Sequence, residues 1–146
     1  MTTGCVFCDG EGGQTLWRDA RCRVVLTAEP FAGFCRVIWN EHVREMTDLS
    51  APNRAHLMHV VYAVESALRA RLTPTKMNVA SLGNQTPHLH WHVIARNLHD
   101  AHFPNSIWGA RRQATRNHAV REPDIHVRER LAAELANLLP GPGARS

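Results

Sequence analysis

The chain has 146 residues, enough for one domain with a hydrophobic core, and its 44% hydrophobic and 21% charged residues exclude a disordered or fibrous chain. Its net charge of +4 comes from 17 basic and 13 acidic residues, a mild surplus that suits an anionic small molecule and argues against a nucleic-acid partner. No apolar run approaches the length of a bilayer span, and MTTGCVFCDG lacks a basic stretch followed by a long apolar one, so neither a membrane partner nor a signal peptide is expected.

A cytoplasmic location follows as the default, with thiols reduced rather than paired. One domain is expected over residues 3–139. Residues 9–15 are glycine-rich and read as a loop. Short β-like runs follow at Thr15 to Arg18, Arg21 to Thr27 and Gly33 to Trp39, separated by Asp19-Ala20 and Glu29-Pro30. Cys22 and Cys35 sit inside these apolar runs and are expected in the core. Next, Leu57, Val60, Val61, Val64, Leu68 and Leu72 fall at the three-and-four spacing of one buried helical stripe. Ser50 is the expected N-cap, Pro52 stands in the first turn, and Thr73-Pro74 stops the helix. His56 and His59 lie off that stripe and read as solvated. Strands are predicted again over Lys76 to Leu82 and His88 to Arg96, joined through Gly83-Asn84-Gln85. The chain is then irregular through Gly109, where Arg111, Arg112 and Arg116 read as a solvated surface. A last helix is predicted from Asp124 to Leu139, with Leu131, Leu135 and Leu138 facing inward. Residues 140–146 read as a frayed tail. About five antiparallel strands, one long helix and a terminal helix make an α+β domain.

The stretch TPHLHWHVIAR, Thr86 to Arg96, alternates histidine with apolar residues. Alternate side chains of a strand share a face, so His88, His90 and His92 form a row with neighbours roughly 6.5–7 Å apart. Leu89, Trp91 and Val93 then bury against the helix. A solvated polar face explains one such histidine more easily than three. A metal cage is a second reading, but such sites often add a carboxylate and the nearest downstream acid, Asp100, lies beyond the strand. The third reading is covalent catalysis at phosphorus. Neutral imidazole is a good nucleophile near physiological pH, and flanking donors are needed to offset the charge of the phosphate oxygens.

HLHWHVI resembles the signature of the histidine triad family, in which histidine alternates with apolar residues. WNEHVREMTDLS resembles the family's segment leading into the long helix, KMNVASLGNQTPHLHWH its catalytic hairpin, and DAHFPNSIWG a post-triad segment of a bacterial branch. The resemblance implies a nucleotide hydrolase or nucleotidyl transferase acting at the α-phosphate of dinucleoside polyphosphates or nucleoside phosphoramidates. It makes His90 the nucleophile, with a carbonyl holding its other ring nitrogen. It also places His92 and Asn84 at the phosphate, with Gln85 beside them, and the nucleoside in a cleft formed by the early strands. An acid for the ribose hydroxyls is expected near Ala28, with Glu29 as the substitute. Trp39-Asn40 stands where many members have Pro-Lys. Trp108 is expected either to close over the bound molecule or to plug the edge of the core. A purine nucleotide substrate, a homodimer and no organic cofactor are the further expectations.

Cys5-x-x-Cys8 reads as a redox pair, as two core cysteines, or as half of a tetrahedral zinc site. One branch of the family completes such a site with the histidine before the long helix and the first triad histidine. By that resemblance Cys5, Cys8, His42 and His88 hold a structural zinc. A zinc-dependent hydrolase with the triad as ligands, and a binding module without turnover, are the alternatives.

Overall fold

The computed structural model describes residues 4–112 and 125–141. Elements in chain order are α1 (Val6–Asp9), β1 (Gln14–Arg18), β2 (Cys22–Leu26), β3 (Gly33–Trp39), α2 (Ala51–Leu72), β4 (Lys76–Ala80), β5 (His90–Arg96) and α3 (Ile125–Leu138). The strands form one antiparallel sheet in the order β1-β2-β3-β5-β4, as the run of short β segments and the later hairpin predict.

The sheet has two distinct faces because side chains alternate along each strand. On one face Cys22, Val24, Leu26, Cys35, Val37, Trp39, Val93 and Ala95 pack against the stripe of α2, where Leu57, Val60, Val61, Val64 and Leu68 are buried. Each such side chain contributes on the order of 1.5–3 kcal/mol by leaving water. Cys22 and Cys35 are in this core, as expected. The other face carries Arg23, Val25, Phe34, Arg36, Ile38, His90 and His92, with Phe7 of α1 laid over Val25 and Ile38.

Helix α2 starts where Ser50 accepts a hydrogen bond from the Asn53 amide and stops where Thr73 turns left-handed at φ 44° ahead of Pro74. Helix α3 buries Leu131 and Leu135 but not Leu138, which is 41% exposed; Leu139 takes the inward place. The buried row follows the i, i+4 ridge, which winds around the helix axis and reaches 139 rather than 138. The predicted start at Asp124, the solvated Arg116 and the tail from 142 onward lie outside the described residues.

Two further sequence expectations are corrected. His56 is not merely solvated: its Nε2 meets the Asp19 carboxylate at 2.7 Å, with both side chains less than a fifth exposed. That contact ties α2 to the β1–β2 turn. The last strand begins at His90, not His88, because β3 ends at Trp39 and leaves nothing for His88 to pair with. The hairpin connection is correspondingly longer, with Gly83 at φ +106° within it.

Candidate active site and metal centre

The early end of β3 on this side of the chain decides where the three histidines go. His90 and His92 stay in the ladder opposite Ile38 and Arg36 and project from the face away from α2. Leu89 and Val93 take the α2 face, with Trp91 partly buried against it. His88, freed from the ladder, donates from Nε2 to the Trp39 carbonyl at 2.6 Å and swings its Nδ1 toward the N-terminus. The row predicted by strict alternation is therefore a pair and a departing neighbour.

His88 joins a cluster. Its Nδ1 lies 3.4 Å from Cys5 Sγ, 3.5 Å from Cys8 Sγ and 3.2 Å from His42 Nδ1, and Cys8 Sγ lies 3.3 Å from His42 Nδ1. A zinc ion with Zn–S near 2.3 Å and Zn–N near 2.0–2.1 Å in a tetrahedron places S and N about 3.6 Å apart and two N atoms about 3.3 Å apart. The cluster matches those edges before any metal is considered. The donor set is also right chemically: the hydrogen bond to Trp39 keeps the His88 proton on Nε2 and leaves Nδ1 bare. The single turn α1, unforeseen in the sequence, brings Cys8 round to face His42.

Asp19, Cys22 and His56 form a second close group. The Asp19 carboxylate is already committed, with Oδ1 accepting from the amides of Arg21 and Cys22 and Oδ2 bonded to His56. Burial, seconded by Asp19, pushes the Cys22 thiol far up, in keeping with its place in the core.

His90 lies two residues beyond His88. Its Nδ1–H donates to the His88 carbonyl at 2.6 Å, as the resemblance implies for a backbone carbonyl, and the tautomer this fixes leaves the lone pair on Nε2. The Ser81 hydroxyl donates to the His90 carbonyl at 2.7 Å, and the Phe7 ring packs edge-on against the imidazole at 4.8 Å. Burial, then the charge of Arg36, pulls the His90 pKa below its usual 6.5, against the opposing effect of the bond to His88. Burial pushes His92 down to about 4, with His90 and Arg36 adding to the effect. Both shifts favour the neutral ring. His92 Nδ1 is buried without a partner. A buried polar atom left this way costs about 1–3 kcal/mol unless a ligand satisfies it.

A cleft of about 380 Å³ opens over these rings. Asn84 and Gln85, in the turn beyond β4, line one side; Phe7 and Arg36, on the β3 side, line the other. Trp108 is 51% exposed and stands edge-on to His92 at 5.0 Å, so it overhangs the cleft and does not plug the core. Glu29 is exposed and does not line the cleft; Ala28 is exposed as well. The neighbouring Thr27 is buried, and its hydroxyl accepts from the Glu29 amide. A wider depression of about 740 Å³ lies between α1 and Asn40–His42. Arg23 on its floor donates to the carbonyls of Phe7, Gly10 and Glu11 and to Asn40, which makes it a brace for the N-terminal segment.

Three side chains at the cleft escaped the sequence reading. Arg36 and Phe7 line it directly. Arg96 holds the loop that carries Trp108: it is 1% exposed, grips Asp100 through two bonds of 2.7 and 2.8 Å, and donates to Asn78 and to the Asn105 carbonyl. For the two arginines the available signal was a charge in an otherwise apolar strand; Phe7 gave none.

Residues 12–99 match the model of the HIT domain, and the chain belongs to that family. No curated protein matches the chain. Among solved structures, a histidine triad protein from Marinobacter aquaeolei VT8 superposes with a TM-score of 0.72 at 24% identity, over 88% of this chain and 93% of that one. A zinc-bound histidine triad family protein from Mycobacterium smegmatis gives 0.66 at 23% identity, over 94% and 97%. A hypothetical histidine triad nucleotide-binding protein from Sulfolobus tokodaii strain7 gives 0.66 at 19%, over 92% and 93%. These likenesses establish the α+β HIT fold.

Proposed function

We propose that the protein is a nucleotide hydrolase or nucleotidyl transferase that works through a nucleotidyl group on His90. The bond from His90 Nδ1 to the His88 carbonyl carries this reading, because it leaves one bare, neutral nitrogen facing a cleft. The Nε2 lone pair attacks the α-phosphorus of a purine nucleotide derivative. The bond to the leaving group breaks, and that group departs with its electron pair, as a phosphate oxygen from a dinucleoside polyphosphate or, with a proton taken up from water at its nitrogen, as a neutral amine from a phosphoramidate. Water then attacks phosphorus, the N–P bond breaks, and His90 returns neutral. The orphaned His92 Nδ1 supports a contact between that residue and phosphate or leaving group, and the turn at Asn84 and Gln85 is placed to add donors.

The cluster of Cys5, Cys8, His42 and His88 holds a structural zinc in this scheme, since all four positions are filled by protein. The rings of the triad do not converge on one point, which favours covalent catalysis over a triad-bound metal. A homodimer belongs to the same proposal, and the open edge of β4 with its half-exposed Val79 is consistent with a partner there. Acid-avoiding quench of the protein with a dinucleoside polyphosphate, followed by peptide mass analysis, tests the mechanism. A nucleotidyl mass shift on the peptide bearing His90 is expected, and His90→Ala should lose roughly three orders of magnitude or more in turnover while binding is kept. Undiminished turnover in that variant overturns the proposal.

A further inference from the structure

Arg36 stands in a place that the function above does not explain. It interrupts the apolar strand β3, opposite His92, on the face that carries the cleft. Its guanidinium lies 5.2 Å from the centre of the Phe34 ring and 6.0 Å from that of Phe7. Its one hydrogen bond among the described residues is a long one, from Nη1 to the Gly12 carbonyl at 3.3 Å. Nε is buried with no partner. No carboxylate in the described residues forms an ion pair with it; Glu29 acts on it only at longer range. A desolvated cation with an idle donor is costly unless something that enters the cleft accepts from it.

The cleft has a polar side and an aromatic side. The turn at Asn84 and Gln85 follows β4, at one end of the strand order, whereas Arg36 and Phe7 lie across His90 and His92 on the β3 side. A nucleotide with phosphorus at His90 and its phosphates toward the polar turn puts its base on the aromatic side. There a flat ring meets the Phe7 ring and, once the side chain turns its unpartnered Nε outward, the Nε–Nη2 edge of the Arg36 fork. That edge presents two parallel donors, which match two adjacent acceptors. Guanine and hypoxanthine offer such a pair in O6 and N7, whereas adenine replaces O6 with an amino donor that opposes the fork.

We propose that Arg36 is the base-reading residue of the cleft and selects 6-oxopurine nucleotides over adenine nucleotides. The inference rests on the nucleotide reading above and adds the base to it. Calorimetric titration of the full-length, metal-loaded protein with guanosine, inosine and adenosine monophosphates tests it. Guanosine and inosine monophosphates should bind about tenfold or more tightly than adenosine monophosphate, the discrimination expected of one good bidentate contact. Arg36→Leu should bring all three within about threefold of one another. Arg36→Lys, which keeps the charge without the fork, should lose the preference too.

Equal affinity for the three, or a preference for adenosine monophosphate in the unaltered protein, overturns the inference and leaves the nucleotide reading intact. That comparison needs no variant and decides the matter even if Arg36→Leu does not fold. A uniform loss in Arg36→Leu for all three nucleotides and for pyrophosphate also overturns it, because Arg36 then contacts phosphate. Failure of every nucleotide to bind at millimolar concentration sinks the nucleotide reading itself, and this inference with it.

Discussion

Arg96 closes β5 with a guanidinium that is almost wholly buried, and Asp100, 9% exposed in its side chain, is its counter-charge. The same carboxylate accepts the amides of His102 and Phe103, so one aspartate both neutralises the arginine and shapes the start of the loop leading to Trp108. Removing one partner of such a pair leaves a buried charge unanswered. Asp100→Ala should therefore cost about 3–5 kcal/mol in urea unfolding, and it should alter the exposure of Trp108 in fluorescence. The pH dependence has a definite sign. Burial alone would raise the Asp100 pKa, but the bonds from Arg96 and the two amides outweigh it and hold the carboxyl below its ordinary 3.8. The pair's stabilisation is complete above that ordinary value and is lost as pH falls through the lower folded one, so acid unfolding of the native protein should be steeper than that of Asp100→Asn. Neither Arg96 nor Arg36 could be weighed from the sequence. A charge in an apolar strand gains meaning only when the residues opposite it are known, and those come from register. His90 was legible because three alternating imidazoles carry their own face assignment.

At the scale of elements, the β1–β2 hairpin is fixed by its approach. Gly13 stands just before β1 at φ +155°, and an added Cβ would sit 2.5 Å from the Leu26 carbonyl oxygen, a backbone atom held in the sheet. Gly13→Ala should thus destabilise by roughly 1–3 kcal/mol, read as a lower midpoint in denaturant. The glycine-rich loop was visible in the sequence; which glycine was indispensable was not, because the constraint comes from the neighbouring strand. Helix α2 was legible in full, since period, N-cap and Pro stop all agree along it. Leu68, fully buried toward its C-terminal end, should cost about 2–5 kcal/mol as Leu68→Ala. The start of β5 was misjudged by two residues. Alternation alone extends a strand until something stops it, and here the stop lies in a different segment, at the end of β3. The one-turn α1 carried no periodic signal at all, being too short to show one.

At the scale of the molecule, segments far apart in the chain converge at the cysteine–histidine cluster: the N-terminal turn, the approach to α2 and the entry to β5. Structural zinc contributes on the order of 10 kcal/mol in small peptides, a sizeable share of any domain's stability. Cys5→Ser, or prolonged chelation, should lower the melting temperature by many degrees, and elemental analysis of protein purified without chelator should give about one zinc per chain. A zinc content near zero, with melting unchanged in the variant, would contradict the assignment. The cluster was legible because Cys-x-x-Cys has few meanings; the resemblance supplied the two histidines, and the fold brings the four side chains together.

His88 belongs to two systems at once. Its imidazole is a corner of the cluster, while its main-chain oxygen anchors the proton of His90. Under the proposed function, a disturbance among the thiols would reach the His90 ring through the His88 peptide unit. Oxidising Cys5 and Cys8 to a disulfide would act on the chemistry next door through rotation of a single carbonyl, and hydrogen peroxide is expected to silence turnover before the sheet unfolds.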